Sequence, residues 1–315
     1  MLLNGEWKEN WQPVQRQDEQ GRFVRQTSSF RHWITADGSP GVTGEGGFKA
    51  ERGRYHLYVA YICPWASRAL MARELKGLTD IISVSVLNPR LSDQGWQFGA
   101  YPGCGEDELN GASYLHELYT QADPHFTGRA TVPVLWDKQT KRIVNNESAD
   151  IVRMLNNAFS ALVQQGPNLY PDTLAADIDI LNAQLYNDLN NGVYQAGFAT
   201  SQLAYEEAYT KVFATLDAME LRLADGREFL FGERLTESDI RLFVTLVRFD
   251  VAYHGLFKCN RNMLKDMPYL YRYMERILAI NGIRQTLNVE HIKAGYYSIK
   301  ALNPNGIVPL GPELC

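Results

Sequence analysis

The chain has 315 residues, 45% of them hydrophobic, enough apolar content for two domains of ordinary size. Its formal net charge is −5, and it holds no block of about five like charges of the kind that binds nucleic acid. No apolar run approaches the roughly 20 residues a bilayer requires, and the opening MLLNGEWKENWQ lacks the basic-then-apolar pattern of a signal peptide.

A cytoplasmic setting with reduced thiols is therefore expected. The four cysteines, Cys63, Cys104, Cys259 and Cys315, are too far apart for a zinc site or a two-thiol redox pair. His32, His56, His116, His125, His254 and His291 are scattered without ligand spacing, so no metal is expected.

Residues 1–50 read as an irregular extension. The run from Gly38 to Gly47 is rich in turn formers, yet Phe23, Phe30, Trp33 and Phe48 are more aromatic content than a loose tail carries. This extension is expected to pack on the body. A strand is predicted from Tyr55 to Tyr61, followed at once by the helix former CPWASRALMARELKGL with Pro64 in its first turn. Ile81 to Leu87 is a second strand, apolar enough to be buried on both faces.

The long irregular stretch from Asn88 to about Gly111 has the length that usually marks function or disorder. A helix near Ser113 to Gln121 leads to the strand of TVPVLWD (Thr131 to Asp137). KRIVNNES supplies a hairpin partner, and Ser148 caps a helix to about Asn157. The order β-α-β-α-β-β-α is an α/β unit, placed at 51–160. Beyond about Pro171 the apolar spacing is helical throughout, and 161–315 is predicted to be an all-α domain with a C-terminal tail. Within it Thr236 and Asp239 have capping-box spacing.

Cys63 is the residue that points to chemistry. It stands where a strand ends and a helix begins, and the unsatisfied N–H groups of a helix N-terminus favour negative charge. A thiol there gives up its proton more readily, and the thiolate is the nucleophile. Many cysteines are small buried fillers, but the strand–Cys–Pro–helix junction is a specific place. A second thiol three residues on would make a dithiol oxidoreductase, but Ala66 stands there. An external thiol must then complete any cycle, and glutathione is the abundant small one in the cytosol. Two elements suit it. Pro133 precedes a strand in a context where a cis proline turns the Val132 backbone outward to pair with a peptide. Glu147 and Ser148 lie at another helix N-terminus, suited to the charged groups of a γ-glutamyl residue.

The segments YHLYVAYICPWASRALMARELKGL, TVPVLWD, NNES, LTESDIRLFVTLVRFD and NPNGIVPLGP resemble the glutathionyl-hydroquinone reductases, also called Xi-class glutathione transferases. The resemblance runs from Trp7 to Pro312 and is most specific at CPWA and GIVPLGP. It implies an N-terminal thioredoxin-like domain joined to an all-α domain, the glutathione transferase architecture, assembled as a homodimer. It implies reduction of glutathionyl-hydroquinones to hydroquinones with glutathione as co-substrate. Cys63 matches the catalytic cysteine. Trp96, Arg129, Val132, Glu147 and Ser148 match glutathione contacts. Tyr194 matches the proton-handling tyrosine, and Tyr253 and Tyr296 match tyrosines that favour the thiolate. Ser67 and Gly295 depart from the family, whose members often carry His at both places, and bear on rate rather than on reaction class. An Omega-like thioltransferase or dehydroascorbate reductase is the nearest rival. A non-catalytic interaction protein is the other, and the intact CPWA, Glu147–Ser148 and three tyrosines speak against it.

Overall fold

A computed structural model describes residues 1–9, 17–163 and 166–314. The chain divides into two compact units, Met1–Pro13 with Thr27–Gly166, and Val14–Gln26 with Pro167–Cys315. Residues of the first fifty thus occur in both.

The first unit opens with a hairpin where an irregular extension was expected. Strands β1 (Leu2–Leu3) and β2 (Glu6–Trp7) pair across Asn4–Gly5, whose φ angles are 51° and 79°. Asn-Gly is the dipeptide that two-residue hairpin turns favour, because both positions need positive φ. A Cβ on Gly5 would sit 1.9 Å from the Pro124 carbonyl oxygen, so glycine is required there twice over.

The main sheet has the order β4 (Ser83–Val86), β3 (Tyr55–Val59), β5 (Val134–Asp137), β6 (Arg142–Asn145). Strand β3 is central and wholly buried. It pairs in parallel with β4 after helix α1 (Pro64–Leu75), and antiparallel with β5. Strand β6 closes the β5 hairpin. Helices α2 (Leu115–Ala122) and α3 (Ser148–Asn157) complete the unit.

Strand β4 is shorter and wetter than its apolar sequence suggested. It lies at the sheet edge, with Ser83 exposed and the other three residues half-buried. Alternation sends Ser83 and Ser85 to one side, where their hydroxyls meet the two ring nitrogens of His56 at 2.7 and 3.0 Å. Burial pushes the His56 pKa down to about 4, so this imidazole works as a neutral hydrogen-bonding group.

A buried ion pair joins the residue before β3 to the end of β5. Arg54 Nε and Nη2 donate to the two Asp137 oxygens at 2.9 and 2.7 Å, and the Asp137 side chain is fully enclosed. Phe48 and Ile34 are buried, and residues around them run beside β6, with His32 N donating to Val144 O and Asn146 N to Phe30 O.

The second unit is helical, with no sheet strand among its described residues. Helix α4 (Ala175–Gln184) widens into a π-helical turn at Leu185–Asn190 before α5 (Gly192–Gly197). Helix α6 (Gln202–Leu223) starts at Ser201, whose hydroxyl accepts from Ala204 N. Helix α7 (Glu237–Arg248) is buried along its whole length and begins with the expected Thr236–Asp239 capping box. It too runs into a π-helical turn, Phe249–Tyr253. Helices α8 (Pro268–Leu278) and α9 (Val289–Tyr296) follow. Neither π turn was legible in the apolar spacing, which reads as plain α-helix. Among the described residues no helix is long and apolar enough to cross a membrane.

Candidate active site

Cys63 is the N-cap residue of α1, with extended backbone angles and Pro64 as the first helical residue. Its own carbonyl already accepts from Ser67 N at 3.0 Å and from Ser67 Oγ at 3.2 Å. The sulfur is half-buried, and the thiol donates to the Val132 carbonyl oxygen at 3.5 Å. The Val132–Pro133 peptide is cis. The first turn of α1 holds no acidic residue, so nothing there opposes negative charge on sulfur. Cys63, Cys104 and Cys259 are all outside disulfides. Burial pushes the Cys104 thiol up to about 11 and the Cys259 thiol up to about 12. Both are poor nucleophiles at neutral pH. Cys315 lies outside the described residues.

Residues 145–148 form a second corner of the same unit. The helix-cap position there differs from the expected one. Glu147, not Ser148, is the N-cap of α3, and its carboxylate accepts from Ala149 N at 3.2 Å. The longer acidic side chain folds back over the first turn, and Ser28 Oγ holds its other oxygen at 2.9 Å. Ser148 is thereby released from capping duty. Its Oγ is buried and has no hydrogen-bond partner among the described residues. A buried hydroxyl left in this state is uncommon and asks for a ligand.

Tyr119 ties these corners together. Its hydroxyl donates to Thr131 O at 2.8 Å, accepts from Thr131 N at 3.1 Å, and accepts from Asn146 Nδ2 at 3.0 Å. One phenol on α2 therefore fixes the residue before Val132 and the residue before Glu147. Sequence reasoning missed it, because its partners are remote in the chain and only its burial on α2 was readable.

Trp96 sits half-buried in the long irregular stretch, just after the tight Ser92–Gly95 turn, with its carbonyl accepting from Leu115 N at 2.9 Å. Arg129 is half-buried on the segment leading to Val132. It stands close enough to the N-terminal ammonium to help burial lower that group's pKa.

The second unit holds a cluster of three phenols brought from far apart in the chain. Tyr194 on α5 and Tyr296 at the end of α9 have hydroxyls 2.6 Å apart. Tyr253, the last residue of its π turn, reaches the same Tyr296 oxygen at 2.9 Å. Tyr296 is thus the hub. Tyr253 and Tyr296 are buried. Burial first, and then the neighbouring Tyr194 phenol, raise both far above the ordinary tyrosine range, so they stay neutral and keep their protons to donate. Tyr194 is the half-buried member of the three. Phe257 packs its ring 5.2 to 5.5 Å from all of them.

A βαβ-ββ sheet with a capping cysteine, followed by a helical unit, defines a glutathione transferase. Family models agree: the glutathione S-transferase N-terminal domain matches residues 62–158 and the C-terminal domain residues 202–276. The glutathionyl-hydroquinone reductase YqjG of Escherichia coli is 50% identical, covering 99% of this chain and 94% of that protein. The reductase PcpF of Sphingobium chlorophenolicum is 48% identical over 99% of this chain and 96% of its own. The structure of glutathione-bound YqjG superposes with a TM-score of 0.92 at 47% identity, covering 100% of this chain and 96% of that one. The Xi glutathione transferase of Phanerochaete chrysosporium superposes with a TM-score of 0.89 at 45% identity, over 95% and 97%. The chain belongs to the glutathionyl-hydroquinone reductases, the Xi class of glutathione transferases.

Proposed function

We propose that this protein reduces glutathionyl-hydroquinones to hydroquinones through a mixed disulfide between Cys63 and glutathione. The observation that carries the proposal is the half-buried Cys63 sulfur at the α1 N-cap against Val132 O, with Ala66 where a resolving thiol would stand. The relatives named above carry this activity in their names, and YqjG has been seen with glutathione bound.

In the first half-reaction the Cys63 thiolate attacks the glutathionyl sulfur, not a ring carbon. The sulfur–carbon bond breaks, its electron pair stays with the ring, and the carbanion-like carbon takes a proton. We assign that proton to Tyr194. The hydroquinone leaves, and Cys63 remains joined to glutathione. In the second half a glutathione thiolate attacks the mixed disulfide, releasing oxidised glutathione and regenerating the Cys63 thiolate. Tyr253 and Tyr296 act as neutral phenol donors that favour the sulfur anion.

Glutathione is held by the backbone of Val132 in strand-like pairing and by Glu147 and Ser148. Glu147 takes its α-amino group, and Ser148 Oγ with the α3 N–H groups takes its α-carboxylate. Trp96 and Arg129 complete the contacts. The working form is a cytoplasmic homodimer. Turnover of glutathionyl-menadione with little turnover of dehydroascorbate is the expected result, whereas the reverse preference would favour the Omega-like thioltransferase reading.

A further inference from the structure

The stretch from Gln17 to Gln26 is fastened to the helical unit at several points. Gln17 Nε2 donates to Phe198 O at 3.0 Å, Ser201 Oγ to Gln20 O at 2.7 Å, and Thr200 N to Gly21 O at 3.1 Å. Arg22 forks onto the Glu207 carboxylate at 2.8 and 3.1 Å. These ties deliver Phe23 against Tyr194 and Phe198, with ring centres 6.2 and 5.9 Å away. They also deliver Arg25 onto the Tyr194 ring, the guanidinium carbon lying 5.0 Å from its centre. Arg25 Nε donates to Asn191 Oδ1 at 2.6 Å, so the cation is anchored one turn ahead of the tyrosine it covers.

The two ends of Tyr194 are therefore held by different groups. Tyr296 takes its oxygen and Arg25 takes its ring face. Arg248 is a second cation, and it acts on Tyr253 and Tyr296. We propose that Arg25 is a positioning residue for the proton transfer: it fixes the Tyr194 ring and offsets the negative charge that grows on the phenol oxygen as its proton leaves. A cation over an aromatic face attracts the ring, and it attracts a phenolate more strongly than a phenol. This inference rests on the assignment of Tyr194 as proton donor.

The test follows each half-reaction separately in the full-length protein: hydroquinone release on mixing with glutathionyl-menadione, and clearance of the mixed disulfide by glutathione. Arg25→Gln should slow the first step about 10-fold, enlarge its solvent deuterium isotope effect, and leave the second step unchanged. Arg25→Lys should recover most of the loss, and Arg25→Gln with Tyr194→Phe should be no slower than Tyr194→Phe alone. Wild-type rates in Arg25→Gln beside a slow Tyr194→Phe would overturn the proposal. So would equal slowing of both steps, or effects that multiply in the double variant. A Tyr194→Phe variant at wild-type rate would instead remove the donor assignment itself. Should Arg25→Gln not fold, Asn191→Ala, which loosens the guanidinium without removing it, must reproduce the selective slowing; unchanged rates there overturn the proposal equally.

Discussion

The thiol corner and the tyrosine cluster are built in opposite ways. Cys63 is placed by its own neighbours: a strand ends at Val59, Pro64 starts a helix, and the cysteine is left at the cap between them. The three phenols owe nothing to their neighbours in sequence. Tyr194 and Tyr296 are joined across 102 residues, and Tyr253 and Tyr296 across 43. A nucleophile can be made by local geometry, because a helix end supplies the field it needs. A set of neutral proton donors must be made by burial, and burial is a property of the whole core.

The largest expected effect breaks the local half of this contrast. Cys63→Ala should lower reductase turnover by about 10³-fold or more, since the covalent route disappears. Glutathione binding, followed by calorimetry, should survive. Unchanged turnover would remove the nucleophile assignment. Next, Tyr194→Phe should slow hydroquinone release about 10²-fold, within the usual range for a general acid, while disulfide clearance continues. Stopped-flow traces of the two steps would show it, and equal losses in both would argue against a proton-transfer role.

Ser148→Ala should separate ligand binding from folding at the α3 corner. Its Oγ has no partner among the described residues, so losing it should leave thermal stability nearly unchanged. Glutathione affinity should fall by about 1–2 kcal/mol, roughly 5- to 30-fold in Kd, with kcat at saturation preserved. A large drop in Tm with unaltered affinity would make Ser148 a structural residue only.

Stability has its own test away from both constellations. For Asp137, burial raises the pKa but is outweighed by the Arg54 and Thr140 hydrogen bonds and the Gln139 N–H, leaving a net depression. A depressed carboxylate adds stability that is fully present above its unfolded pKa of about 4 and disappears as pH falls through the lower folded value. Arg54→Ala strands that carboxylate in the interior and should cost about 3–5 kcal/mol. It should also flatten the acid limb of a denaturation series between about pH 4 and the folded pKa. The smallest change, Thr236→Ala in the α7 capping box, should cost about 1 kcal/mol in the same assay.

How much of this was legible follows the same division. The βαβ unit, the β5–β6 hairpin, α3 and the helical second half could be read from periodicity and turn residues, which are local. Edge position could not: the apolar run at Ile81 to Leu87 looks like an interior strand, and only the sheet order shows that among the described residues no strand pairs with its outer flank. The Asn4–Gly5 hairpin was readable and was passed over, because an otherwise irregular extension hid a clear turn dipeptide. The Glu147 cap lay one residue from the expected one, since a serine is ordinarily the better cap. Tyr119, Ser28 and Arg25 left no sequence signal, as each works through partners more than a few residues away. The three phenols of the cluster were singled out by family resemblance, not by spacing.

The most direct measurement is the intact mass of the protein, taken after mixing with glutathionyl-hydroquinone in the absence of free glutathione. One added glutathionyl group is expected, mapped to Cys63, with an equal amount of hydroquinone released and no adduct in Cys63→Ala. Hydroquinone release from a chain of unchanged mass, or an adduct that persists in Cys63→Ala, would contradict the mixed-disulfide mechanism.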